Sequence, residues 1–118
     1  MHFNRTEDQI VLKLMTASAM RAKVIANNVA NANTPGYKRQ VVEFEEVLQK
    51  AMEEDPGSID EVAPAIVEDL ETKSSFDGNN VTLELELNAQ DENRLMFELY
   101  SSILSSRSEM MRSAIDER

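Results

Sequence analysis

Residues 26–37 of the chain run Ala26-Asn27-Asn28-Val29-Ala30-Asn31-Ala32-Asn33-Thr34-Pro35-Gly36-Tyr37. The end of this stretch interrupts any regular structure that precedes it. Thr34 is disfavoured in the α conformation because a proline follows it, Pro35 has no amide hydrogen to donate, and Gly36 can take the positive φ of a chain reversal. A helix that enters this stretch therefore ends in it, and the chain turns.

Four asparagine side chains crowd the end of that helix, at positions 27, 28, 31 and 33. Asparagine is a mediocre helix former because its amide competes for nearby backbone groups. A frayed C-terminus capped by amides accounts for Asn33 and for Asn31. Asn27 and Asn28 lie more than a turn before the break, where a planar amide suits a hydrogen bond that fixes orientation across a packed interface. We favour the interface interpretation for the cluster.

The segment before the asparagines has the pattern of a long amphipathic helix. Thr6-Glu7-Asp8-Gln9 matches a capping box, which places the start of the helix near Thr6. Two adjacent apolar tracks follow. The first is Val11, Met15, Ser18, Ala22, Ile25, Val29 and Ala32, and the second is Ile10, Leu14, Ala17 and Val24. The spacing predicts an N-terminal helix over about residues 6–33.

The C-terminal third predicts a second long helix. Residues 81–87 alternate apolar and polar side chains, which taken alone is typical of a strand. Against that, Leu and Glu are helix formers and Thr82 is an acceptable N-cap, so the residues alone leave strand and helix both open at positions 81–87. The spacing beyond them is that of a helix. It also carries two neighbouring tracks. One is Met96, Leu99, Ile103, Ser106 and Met110, and the other is Tyr100, Leu104, Arg107, Met111 and Ile115.

The middle of the chain has weaker patterns. Residues 34–52 predict a turn, an extended segment and then a short helix, because the apolar spacing changes along them. Residues 53–80 are rich in acidic side chains and interrupted by prolines, which predicts a flexible loop. Asp77-Gly78-Asn79-Asn80 has the composition of a turn. The predicted fold is one mainly all-α domain over residues 1–118, with two long terminal helices pairing as a coiled coil.

The composition argues against several classes of function. The chain has no cysteine, which excludes disulfides, thiolate metal sites and a cysteine nucleophile, and its one imidazole belongs to His2. A pI near 4.5 argues against a nucleic-acid interface, and no apolar run approaches the roughly 20 residues that cross a bilayer. We expect no enzymatic activity, cofactor, metal or small-molecule substrate. We also expect no membrane insertion and no cleaved secretory signal.

The net charge of −10 is unevenly distributed. Residues 1–40 carry a net charge of +4, residues 41–92 carry −14, and residues 93–118 are neutral overall. A basic first third and an acidic middle would attract each other head to tail between copies or partners. A solvated acidic loop that keeps a monomer soluble explains the same pattern. Both interpretations stay open at this point.

Residues 26–37 closely resemble the N-terminal motif of the flagellar rod, hook and hook-associated axial proteins. A second match lies at Asp77-Gly78-Asn79-Asn80-Val81, followed by Asn93, Leu95, Phe97 and the terminal Ala114-Ile115. Together the matches are most similar to the proximal-rod type of flagellar basal body protein. They cover both ends of the chain and leave about residues 53–75 uncovered. Thr82 departs from the family, which usually has Asp there. The resemblance favours a helix over a strand at residues 81–87, and we therefore predict the C-terminal helix over about residues 83–115.

The resemblance implies a structural subunit of the rod, the drive shaft that transmits torque from the motor base to the distal rod. Its partners would be further copies of itself and other rod and basal-body proteins, including the base of the export gate. It would reach the flagellar basal body by type III export, without a cleaved signal peptide.

The paired apolar tracks agree with an assembling protein. Each helix can bury one track against the other, and an exposed second track forgoes roughly 1.5–3 kcal/mol for each large apolar side chain. We expect other subunits to cover it, since soluble monomers seldom expose continuous apolar patches. The competing hypothesis is a soluble helical adaptor, or a coiled coil like a secretion chaperone, that stops at a small oligomer.

These considerations assign an assembly interface and a turn. The apolar positions predicted to pack helices are Leu14, Met15, Ile25, Val29, Leu99, Ile103 and Met110. Hydrogen bonds that orient one subunit on another are predicted from Asn27, Asn28 and Asn31. The turn Thr34-Pro35-Gly36-Tyr37 is predicted to fix the direction in which the chain leaves the helix.

Overall fold

Two long helices form the axis of the molecule in the computed structural model, which describes residues 5–117. In chain order the elements are α1 (Arg5–Ala30), β1 (Gln40–Glu43), α2 (Glu45–Glu54), a 3-10 helix (Pro56–Glu61), β2 (Ala65–Glu68) and α3 (Leu83–Asp116). The predicted fold class is confirmed, because the chain is mainly helical with one long helix near each end. The alternating stretch at residues 83–87 is helical, as predicted.

Helices α1 and α3 lie antiparallel. Near one end Arg107 pairs with Glu7 and Asp8 of α1. Midway along the pair, the Asn93 amide donates to the Ser18 carbonyl at 2.8 Å. The contacts that join the two helices therefore include polar and charged groups along much of their shared length.

Helix α1 ends at Ala30, three residues before the predicted end. The side-chain amide of Asn31 donates to the Asn27 carbonyl at 2.8 Å, and the amide of Ala32 donates to the Val29 carbonyl at 3.2 Å. The backbone bond from Ala32 spans three residues instead of four, so the helical ladder ends here, and the Asn31 side chain adds a second donor to the Asn27 carbonyl, as expected for asparagine near a helix C-terminus.

Residues 53–80 contain regular structure where the composition predicts a flexible loop. The 3-10 helix buries Ile59, and β2 pairs antiparallel with β1 so that Val41 faces Val67 and Val42 faces Ile66. The acidic Asp60 is also tied to α1, because its carboxylate accepts from Gln9 and its backbone carbonyl accepts from Lys13. Backbone pairing and a few buried aliphatic side chains thus order a segment whose average polarity is high.

The hydrophobic core lies between α1 and the middle segment, not between α1 and α3. Its buried members are Ala17, Val24, Val42, Phe44, Leu48, Ile59 and Val62. The second apolar track of α1 supplies Ala17 and Val24 to this core, and Ile10 and Leu14 pack against it. The middle segment therefore covers one of the two apolar tracks of α1.

Phe44 is the largest fully buried apolar side chain, so its truncation tests the position of the core. Phe44→Ala is expected to lower the free energy of unfolding by about 3–5 kcal/mol, because it removes a buried ring and leaves a cavity. Leu70→Ala, at an exposed position of the middle segment, should change that free energy by less than about 0.5 kcal/mol. Urea denaturation followed by circular dichroism measures both, and equal effects would place the core elsewhere.

Candidate assembly surface and polar junction

The turn after α1 has the geometry that its sequence predicts. The amide of Tyr37 donates to the Thr34 carbonyl at 3.2 Å, and Gly36, the third residue of the turn, has φ +76°. Proline at the second position and a positive-φ glycine at the third define a type II turn. The chain therefore reverses at Pro35 and Gly36 and returns toward α1.

This turn contacts the second motif, residues 77–81. The Gly36 amide donates to the Asp77 carbonyl at 2.9 Å, and a Cβ on Gly78 would lie 3.4 Å from the Gly36 Cα. Gly78 also has φ +85°, which favours glycine. The two sequence motifs that carry the family resemblance thus meet in space.

Asn79, in this second motif, is bonded to the turn after α1. Its buried side-chain amide donates to the carbonyls of Asn31, at 2.9 Å, and Thr34, at 2.8 Å. Both carbonyls lie beyond Ala30, the last residue of α1, so the amide fixes the turn to a segment 45 residues or more away in the sequence. Composition indicates a turn at residues 77–80 but not the segment that it contacts.

Asn28 is fully buried and connects α1 to the start of β1. Its amide donates to the Gln40 carbonyl at 2.8 Å, and its side-chain oxygen accepts from the Gln40 amide and the Tyr37 hydroxyl, both at 3.0 Å. Asn27 in turn donates to the Tyr37 hydroxyl at 3.0 Å. The orienting role predicted for Asn28 is therefore carried out within one chain. A role between subunits stays a prediction for Asn27 and Asn31.

The buried carboxylate of Glu86 forms the centre of this region. Arg39 donates from Nε to Glu86 and from Nη1 to Asp69, the latter at 2.9 Å, and the Asn28 amide lies 3.3 Å from Glu86 Oε2. A buried carboxylate is costly unless it is paired and hydrogen-bonded, and Glu86 is both. We call the group Asn28, Arg39, Asp69, Asn79 and Glu86 the polar junction.

The pKa of Asp69 lies well below its ordinary value. The hydroxyl of Thr72 is the main cause, because it donates to the carboxylate, while burial opposes the shift. The backbone amides of Thr72 and Glu71 and the guanidinium of Arg39 add to the lowering. Asp69 is thus held ionised beside Arg39.

The sequence alone did not identify Glu86 or Arg39 as part of a site. Glu86 sits in a Leu-Glu alternation where nothing distinguishes it from the exposed Glu84. Arg39 stands beside Lys38 and is explained equally well by a solvated turn edge. A charged residue paired across 47 positions leaves no local pattern.

Some of the basic residues in the first third of the chain contact the acidic middle segment within the fold. Arg21 pairs with Glu45 at 2.8 Å, Arg39 pairs with Asp69 at 2.9 Å, and Lys13 donates to the Val62 carbonyl at 2.7 Å. The basic first third therefore attracts the acidic middle of the same chain.

Helix α3 leaves most of its apolar side chains in solvent. Of its described residues, the two that are buried are Glu86 and Asn93, both polar. Its exposed large apolar side chains, which we call the α3 apolar surface, are Leu83, Leu85, Leu87, Leu95, Met96, Phe97, Leu99, Ile103, Met110, Met111 and Ile115. The helix thus presents far more apolar side chain than it buries.

The whole molecule is correspondingly extended. Its accessible surface is 8339 Å², whereas a compact monomer of 13.3 kDa would expose about 6,500 Å². Its radius of gyration is 18.0 Å, against about 13.5 Å for a compact chain of this length. The extra surface, about 1,900 Å², is more than the roughly 800 Å² that one partner contributes to a standard interface.

The predicted assembly residues differ in their exposure to solvent. Leu99, Ile103 and Met110 are 50%, 38% and 40% exposed, so other subunits can reach them. Ile25 is buried and Leu14 packs on the core, so both act inside the chain, while Met15 and Val29 are half-buried. In the turn, Thr34, Pro35 and Gly36 are exposed.

Two further features of the described residues bear on function. No helix among them combines the length and hydropathy needed to cross a membrane. Residues 5–117 also contain no group of three or more His, Cys, Asp or Glu side chains arranged to hold a metal ion. His2, the one imidazole, lies outside the described residues.

Comparison with known proteins agrees with this geometry. A profile of the family described as flagella basal body rod protein matches residues 15–38, which span the second half of α1 and the turn. The flagellar basal body rod protein FlgB of Borreliella burgdorferi is 29% identical over 104 residues, which cover 72% of this chain and 77% of that protein. FlgB of Yersinia enterocolitica is 25% identical over 117 residues, with 84% and 85% covered. FlgG of Caulobacter vibrioides is 46% identical over 39 residues, 33% of this chain and 15% of that protein.

These matches support a flagellar basal body rod protein, and that family is structural. The matches to FlgB run through most of both chains, whereas the match to FlgG is confined to a third of this one. The comparisons therefore support the FlgB type, a structural component of the proximal rod in the flagellar basal body.

The pairing of Glu86 with Arg39 is testable by removing the guanidinium. Arg39→Met should lower the free energy of unfolding by roughly 3 kcal/mol, because it leaves the buried Glu86 carboxylate without its counter-charge. Arg94→Met, at an exposed position of α3, should change it by less than about 0.5 kcal/mol. Urea denaturation at neutral pH compares the two, and a loss in Arg39→Met no larger than in Arg94→Met would show that the pair contributes little.

The lowered pKa of Asp69 predicts a loss of stability in acid. Because its folded pKa is below its unfolded value, the unfolded chain takes up the proton first as the pH falls. The stabilisation is complete above the ordinary Asp pKa of about 4 and decreases below it. Asp69→Asn should therefore be less stable than the wild type at pH 7, and the difference should narrow below about pH 4. Thermal unfolding at several pH values measures this difference, and a gap between Asp69→Asn and wild type that is constant with pH would contradict the assignment.

Proposed function

We propose that this rod protein assembles with further copies of itself and with its neighbours in the basal body by burying the α3 apolar surface. The observation that carries this proposal is the burial pattern of α3, whose buried residues are polar and whose large apolar side chains face solvent. An apolar surface of this extent is typical of an interface and not of a free monomer.

The energetics favour association. Burial of apolar area contributes about 25 cal/mol for each Å², so large side chains such as Leu99 and Ile103 are each worth roughly 1.5–3 kcal/mol when fully covered. Association also costs translational and side-chain freedom, so several of these residues must be covered together. The length of α3, 34 residues, allows more than one neighbour to share it.

Torque transmission requires a subunit that keeps its shape under load. The polar junction ties α1, β1 and α3 together near one end, and Arg107 ties α3 to Glu7 and Asp8 near the other. Directional hydrogen bonds and ion pairs at both ends resist sliding of one helix along the other. We propose that this bracing lets the subunit pass torque from the motor base to the distal rod.

The proposal includes the partners implied by the rod. The chain is proposed to reach the rod by type III export without a cleaved signal peptide and to contact the base of the export gate. These contacts would use the same exposed apolar residues, since the core residues and the polar junction are already engaged within the chain.

Ile103 tests which surface assembles. Ile103→Asp places a charge on the α3 apolar surface and should abolish rod assembly and motility in cells, while the protein is still expressed and exported. The mutation should leave the fold intact because Ile103 is exposed. Ser102→Asp adds the same charge to a neighbouring exposed position of the same helix and should assemble normally.

Sedimentation of the purified chain separates the rod hypothesis from the adaptor hypothesis. The mass of the wild-type complexes should increase continuously with protein concentration, or rod partners should be required to nucleate their growth. An adaptor would instead stop at a dimer or another small oligomer. Normal rods built from Ile103→Asp would show that assembly uses a different surface. Ile25→Asp is not a suitable probe, because Ile25 is buried and the charge would unfold the chain.

A further inference from the structure

Phe76 is the most exposed large apolar side chain in the described part of the chain. It lies in the loop between β2 and α3, yet both neighbours are fixed. The Ser75 amide donates to the Asn79 carbonyl at 2.8 Å, and the Asp77 carbonyl accepts from Gly36 at 2.9 Å. The backbone on both sides of Phe76 is therefore held in place while its ring is fully exposed, as expected of the anchor residue of an interface.

A groove of about 450 Å³ between α1 and α3 offers a complementary site. Ala19, Ala22 and Phe97 give it an apolar lining, and Lys23 and Arg94 also line it. Gln90 contributes a side-chain oxygen that is buried and has no hydrogen-bond partner among the described residues.

We propose that Phe76 of one copy inserts into this groove of a second copy. The groove supplies apolar contacts for the ring from Ala19, Ala22 and Phe97. The acidic Asp77 follows Phe76 directly, and the basic Lys23 and Arg94 line the groove, so the charges are complementary.

The contact joins two different surfaces and is therefore heterologous. Phe76 belongs to the loop packed on the end of α1, whereas Ala19 lies 11 residues before Ala30, roughly 16 Å along the helix. A heterologous contact repeats from copy to copy and generates a ring or an open helix instead of a closed dimer. The inference rests on the proposed function and specifies one of its contacts.

Two pairs of variants test the contact by sedimentation velocity of the full chain. Phe76→Ser should raise the concentration needed for self-association about ten- to a hundredfold, and Leu70→Ser, at another exposed site in the same loop, should leave it unchanged. Ala19→Phe should fill the groove and weaken association to a similar extent. Its control, Ala26→Phe, adds the same ring to an exposed alanine of α1 outside the groove and should associate normally.

Cysteine pairing locates the contact directly, because the chain has no cysteine of its own. Phe76→Cys protein is mixed with Ala19→Cys protein that carries a different tag, and the mixture is oxidised. The mixed disulfide should form much faster than with Ala26→Cys, since a disulfide needs Cα atoms within about 7 Å. Equal rates with both partners would overturn the inference.

The outcomes distinguish failure of the Phe76 contact from failure of the proposed function. If Phe76→Ser associates over the wild-type concentration range, this contact is absent while the proposed function stands. If the wild type associates neither with itself nor with rod partners, both fail.

Discussion

A carboxylate that is buried at a helix crossing must be neutralised, and Glu86 imposes this constraint on the whole fold. Its partners come from different parts of the chain, with Arg39 from the segment before β1 and Asn28 from α1. The charge is compensated only when α1, β1 and α3 lie in one relative arrangement, because hydrogen bonds depend on distance and angle. The polar junction therefore fixes the geometry around which the apolar contacts are distributed.

The distribution of apolar contacts follows from that arrangement. The middle segment covers one side of α1 with Phe44, Leu48, Ile59 and Val62, so the core needs no contribution from a buried apolar residue of α3. The contacts that hold helix α3 on α1 include polar ones, such as Asn93 with Ser18 and Arg107 with Glu7. Its exposed apolar side chains are therefore available for the assembly proposed above.

The elements that depend on local pattern could be predicted from the sequence. The break at Pro35 and Gly36, the two long helices and the turn at residues 77–80 follow from residue chemistry that acts over a few positions. Each helix has two apolar tracks, one more than its partner helix can cover, which predicts exposed apolar surface. Ile103 and Met110 are exposed in this way. Family resemblance, carried by the two turn motifs, supplied the class of function.

The remaining features depend on contacts between distant residues. The order within residues 53–80 comes from pairing with β1 and from burial of Ile59, neither of which is visible in average composition. The sequence also does not show which asparagines are buried. Asn28 and Asn33 occur in similar sequence surroundings, although Asn28 is fully buried and Asn33 is exposed. Side chains of this kind acquire their role from the tertiary structure.

Joining α1 to α3 by polar groups has a consequence for assembly. Apolar packing between them would tolerate small shifts of register, whereas the pairs at Glu86, Asn93 and Arg107 each favour a single alignment. The subunit can thus hold its shape before it meets a neighbour, although part of its apolar surface is still uncovered. In the proposed assembly, the exposed apolar residues of α3 would be buried between chains, where they stabilise the polymer, while directional bonds maintain the alignment of α3 on α1.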